Sequence, residues 1–71
     1  MSDTTETLVR MVNQIGANLM HEPNPAAATA EHIRLFWDPR MRSLIMARGT
    51  GGLTATAVAA ISQLQTPQSA Q

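Results

Sequence analysis

Apolar residues early in the chain recur on one side of a helix. Projected at about 100° per residue, Leu8, Val12, Ile15 and Leu19 fall in one stripe, flanked by Met11 on one edge and by Val9, Gly16 and Met20 on the other. The segment Asp3-Thr4-Thr5-Glu6 just before it resembles a capping box, with an acceptor side chain three residues ahead of a glutamate. The pattern predicts a first helix running to about Met20. Its apolar arc spans nearly half the circumference, more than packing against a single layer requires, so part of that face is expected to meet another molecule.

The run His21-Glu22-Pro23-Asn24-Pro25 breaks the periodicity. Asn24 suits an N-cap and Pro25 the first helical position, where a missing N–H costs nothing. A second helix is expected from Pro25 to about Trp37. It places Ala26, Thr29, Ala30, Ile33, Phe36 and Trp37 on one face and Leu35 almost opposite, beside Ala28. Asp38-Pro39 repeats the device, because the residue before a proline is pushed out of the helical region while Asp38 can cap the next helix. Two helices then meet at a corner with almost no loop. The third, Pro39 to Arg48, turns Met41, Leu44 and Ile45 inward and ends at Gly49-Thr50-Gly51-Gly52. A fourth, from about Thr54 to Leu64, carries Leu53, Ala57, Ala60, Ile61 and Leu64 on one side. No period-two alternation is present. The fold class is all-α: a small bundle of three to four short helices, with one helical domain over residues 1–64 and a disordered tail over 65–71.

Size makes such a bundle marginal. A chain of 71 residues buries only about 60% of its unfolded surface, and folds this small usually lean on disulfides, a metal or a partner. There is no cysteine, which removes disulfides and thiolate metal sites. His21 and His32 are the only imidazoles, and neither has a second ligand at helical spacing. His21 is expected in an exposed loop and His32 at a polar rim or partner contact. The serines sit in no nucleophile elbow, and the glycines after Arg48 lack the lysine and preceding strand of a phosphate loop. No catalytic, cofactor-binding or metal-binding residue is expected. The N-terminus has neither a basic region nor a continuous apolar run, so a cytoplasmic protein is expected, without a membrane span.

Formal charge is zero, yet all five basic residues are arginine, the cation that forks onto carboxylates and is favoured at interfaces. The five acidic residues lie at or before Asp38, leaving Arg40, Arg42 and Arg48 without acidic neighbours further along the chain. A helix-turn-helix regulator reading DNA with these arginines is the alternative of a different class. Neutral balance, absence of lysine and the near-zero turn weigh against it. The segment with the richest chemistry is Arg34-Leu35-Phe36-Trp37-Asp38-Pro39-Arg40-Met41-Arg42, which holds both aromatic residues beside the corner. Tryptophan and arginine are over-represented at binding hot spots. Phe36 is expected inward, Trp37 shared between core and rim, and the arginines outward. Arg34, Leu35, Trp37, Asp38, Arg40, Met41 and Arg42 are the candidate partner-binding residues. Val9, Met20, Leu35, Met46 and Val58 form an apolar surplus off the inward stripes.

Two blocks also carry a resemblance. Leu8-Val9-Arg10-Met11-Val12-Asn13-Gln14-Ile15-Gly16, followed by His32-Ile33-Arg34-Leu35-Phe36-Trp37-Asp38-Pro39-Arg40-Met41-Arg42, resembles the delta subunit family of NAD-dependent, molybdenum-containing formate dehydrogenases over roughly residues 8–64. Leu35 stands where a basic residue is expected, and an aromatic expected near Asn18 or Leu19 is missing. The resemblance implies an accessory subunit beside a large alpha subunit that carries bis-molybdopterin guanine dinucleotide and iron–sulfur clusters. Beta and gamma subunits would pass electrons through FMN to NAD. It implies a role in assembly or stability of that complex, either as a resident subunit or as a transient maturation chaperone.

Overall fold

The computed structural model describes residues 4–65, which form four helices: α1 (Thr4–Asn18), α2 (Pro25–Phe36), α3 (Pro39–Arg48) and α4 (Ala55–Gln65). The proposed cap at Asp3 lies outside the described residues, as do residues 66–71 of the expected tail. Gln65, placed in that tail from sequence, instead closes α4, and its side-chain amide donates to the Met46 carbonyl at 3.5 Å.

Local chemistry sets most of the helix ends. Asn24 Oδ1 accepts from the Ala27 N–H at 3.1 Å and Pro25 opens α2. Asp38 Oδ1 accepts from the Met41 N–H at 2.8 Å and Pro39 opens α3. Thr54 Oγ1 accepts from the Ala57 N–H at 3.2 Å, so Thr54 caps α4 rather than belonging to it. Each side chain satisfies one donor that a helix start leaves free. α3 stops at Gly49, whose φ of 94° is open to glycine and strained for other residues. α1 ends two residues before the expected Met20. The Leu19 N–H is shared between the Ile15 carbonyl (3.1 Å) and the Gly16 carbonyl (3.2 Å), and the chain tightens into a turn.

The most extensive helix pair is α2 with α4. Ala30, Ala57 and Ala60 are all at most 1% exposed, and side chains this small let two helix backbones approach closely. Val12, Leu8 and Val9 from α1, Ile45 from α3 and Ile61 from α4 close the core around Ile33 and Trp37. Met46 and Val58, counted from sequence in the apolar surplus, are partly buried, with Met46 packed against this core.

Two expectations about side-chain direction are corrected. Val9 was expected to lie off the inward stripe, but it is only 7% exposed. The connection after α3 folds over it, bringing Gly52 so close that a Cβ there would stand 3.5 Å from Val9 Cγ1. Phe36 was expected inward and Trp37 shared between core and rim, whereas Phe36 is 71% exposed and Trp37 6%. On a helical projection the two lie on opposite flanks of Ile33, about 60° and about 40° away. The backbone decides between them. Trp37 has left the helix, with φ −92° and ψ 139°, and this extended step ahead of Asp38-Pro39 carries its indole into the core.

One tertiary fastening has no counterpart in the hydrophobic pattern. Asn13, midway along α1, donates from Nδ2 to the Gly52 carbonyl and accepts at Oδ1 from the Thr54 N–H, both at 2.9 Å. Its amide thus pins the connection that leads into the α4 cap. Two neutral hydrogen bonds at a partly exposed site contribute about 1–2 kcal/mol together. Asn13→Ala should therefore lower the melting temperature of the isolated chain by roughly 4–12 °C. A melting curve that superposes on wild type would show the clamp to be energetically idle.

Thr29 is fully buried and its hydroxyl has no hydrogen-bond partner among the described residues. Burying an unsatisfied hydroxyl costs about 1–3 kcal/mol. Thr29→Val keeps the branched shape and removes the stranded oxygen, so it should raise the melting temperature by at least about 4 °C. A lower midpoint would mean that the hydroxyl finds a partner in solution.

Candidate protein-docking surface

The seven residues singled out from sequence fall into three groups. Trp37 and Met41 pack in or against the core, and Asp38 is exposed but engaged as the α3 cap. Leu35 and Arg40 are exposed. Arg34 and Arg42 are partly buried and line one surface groove between α2, α3 and the end of α4, together with Pro39, Ser43, Met46 and Leu64.

Leu35 and Phe36 stand out as adjacent large apolar side chains, 67% and 71% exposed. Phe36 is not bare on all sides. Its ring lies against the His32 imidazole one turn earlier, with centroids 4.8 Å apart and planes inclined at 42°. His32 is partly buried, so the imidazole covers one side of the Phe36 ring while most of that side chain stays exposed to solvent. Sequence reasoning named Leu35 but missed Phe36 and His32 as a pair, although their spacing of four residues was a usable signal. Among the described residues Met20 and Met11 are the other exposed large apolar side chains, at 58% and 38%. Met20 borders a separate groove with Gly16, Ala17 and Thr56, and its sulfur accepts from the Thr56 hydroxyl at 3.5 Å.

The arginines differ in how they are held. Arg34 makes an ion pair with Glu31 at 2.9 Å, one turn away on the same helix; a surface pair of this kind is worth at most about 1 kcal/mol. Arg48 folds back from the last turn of α3 to donate to the Gly51 carbonyl. Arg40 is exposed. Arg42 is unlike the others, because its Nε is buried and has no hydrogen-bond partner among the described residues. Around α3, Arg40, Arg42 and Arg48 point in three directions, with Arg42 about 160° from Arg40. They do not make the continuous basic stripe with which a recognition helix follows a phosphate backbone.

His21 sits in the exposed turn after α1, 3.1 Å from the Glu22 carboxylate. Among the described residues no group of three or more His, Asp or Glu is arranged to hold a metal ion. With no cysteine in the chain, the thiolates that iron–sulfur clusters require cannot come from here. No helix among the described residues is long and apolar enough to cross a membrane.

No curated protein and no solved structure matches the chain. Residues 7–61, spanning nearly all of α1 through most of α4, match the family described as NADH-dependent formate dehydrogenase delta subunit. The chain therefore belongs to the delta-subunit family of NADH-dependent formate dehydrogenases.

Proposed function

We propose that this chain is a non-catalytic accessory subunit that docks on the large, molybdenum-bearing alpha subunit of its formate dehydrogenase complex and supports that complex's assembly or stability. The observation that carries the reading is the pair Leu35 and Phe36, two large apolar side chains presented to solvent at the end of α2. A chain this small gains by burying such area on a partner, and aromatic anchors flanked by arginine are the usual composition of a hot spot. Leu35, Phe36 and Arg40 form the contact, with Arg34 and Arg42 beside it. Trp37, Asp38 and Met41 act by holding α2 and α3 in position.

In this reading bis-molybdopterin guanine dinucleotide, the iron–sulfur clusters, FMN and NAD are bound by other subunits. Formate oxidation, with transfer of its electrons to NAD, takes place there in the cytoplasm. The absence of cysteine from the chain supports this division of labour. Affinity purification of the complex through a tag on this chain tests the reading. The alpha subunit should be recovered with it in stoichiometric amount, and the preparation should oxidise formate. Recovery of the chain alone would refute docking. Recovery with an immature, inactive alpha subunit only would make it a transient maturation chaperone.

A further inference from the structure

We infer that the groove holding Arg34 and Arg42 is the receptor for one acidic side chain, glutamate or aspartate, of another subunit of the complex. The inference rests on the docking reading above and assigns the polar half of the contact.

Charge is the first observation. Arg34 and Arg42 line the groove and no acidic residue among the described ones does; Glu31 is paired with Arg34 at 2.9 Å, and the Asp38 carboxylate is engaged as the α3 cap. No carboxylate lies on α3, and Arg42 makes no ion pair among the described residues. The second observation is the state of Arg42. Its Nε is buried without an acceptor among the described residues, while most buried donors in folded proteins are paired. The terminal nitrogens of Arg42 make no ion pair among the described residues, so a carboxylate entering the groove meets them end-on through two parallel hydrogen bonds. The third is the wall of the groove. Met46 and Leu64 line it beside the two arginines and give an apolar surface for the methylene stem of an acidic side chain. A free anion has no stem to place there.

The test is retention of this chain in the formate dehydrogenase complex at about 0.15 M salt. Arg42→Gln should lower the affinity for the rest of the complex by about 10- to 100-fold. Arg42→Lys keeps the charge but not the planar fork, and should lose at least about threefold. The deficit of Arg42→Gln should shrink near 1 M salt, where the Debye length falls to about 3 Å. Both variants should melt at or above the wild-type temperature, because neither removes a hydrogen bond from Nε in the free chain. Wild-type retention of both variants would overturn the proposal. So would tight binding of inorganic phosphate to the free chain that is lost in Arg42→Gln while retention is unchanged, since the groove would then serve a free anion. If charged replacements of Leu35 and Phe36 release the chain while Arg42→Gln does not, the docking reading stands and the groove assignment falls. If the unaltered chain fails to enter the complex, both fall.

Discussion

Trp37→Ala is expected to unfold the isolated chain, with loss of a cooperative melting transition or a fall of at least about 15 °C in its midpoint. Although the indole belongs to the segment richest in interface-type residues, it is 6% exposed and packed with Ile33, Ile45, Val12 and Ile61. Truncating a buried tryptophan costs about 3–5 kcal/mol. A chain of 71 residues has a total stability of only about 4–10 kcal/mol, so the loss consumes a large share of it. Any weakening of complex retention in this variant would then follow from the fold. Thermal or urea melts of the purified chain decide the matter. An alanine variant that melts within about 3 °C of wild type would show that the ring contributes little to the core.

The opposite separation of effects is expected one step earlier in the chain. Replacing Leu35 and Phe36 together by aspartate should leave the melting temperature within about 8 °C of wild type, since exposed positions rarely change stability by more than about 0.5 kcal/mol each. The same double variant should lose about 30- to 1,000-fold in affinity for the complex. It removes two apolar anchors, worth about 2–4 kcal/mol at a hot spot, and sets uncompensated carboxylates in their place. Measuring both quantities on one preparation separates a docking surface from a structural one. Undiminished affinity would move the docking surface elsewhere, for example to the groove bordered by Met20.

These two variants also mark where sequence reasoning reached its limit. The caps at Asn24 and Asp38, the prolines after them and the stop at Gly49 were legible because each acts through its own backbone and its near neighbours. The inward stripe of α1 through Leu8 and Val12 followed from periodicity, and the order of the helices, read as three to four, from periodicity together with the proline and glycine breaks. The orientation of Phe36 and Trp37 was not legible, because a helical projection stops being valid at Trp37, where the backbone becomes extended. Val9 was misplaced for a related reason: the connection at Gly52 covers it, and that connection has no apolar side chain to announce it. Asn13 looked like an ordinary polar position in an amphipathic helix. Its partners lie 39 and 41 residues away, and nothing local to Asn13 identifies them. On the candidate surface, the sequence singled out Leu35 and Arg40, which the structure leaves exposed. The stranded Arg42 Nε and the His32–Phe36 pairing required the fold.

The two-residue corner between α2 and α3 bears on the cost of association. Trp37 is embedded in the core and Asp38 is hydrogen-bonded to the first turn of α3, so neither residue provides slack. The end of α2 and the start of α3 therefore meet a partner as one stiff wedge whose shape exists before contact. Little conformational entropy remains to be surrendered there on binding, which lets a small patch hold more tightly than its area alone would allow.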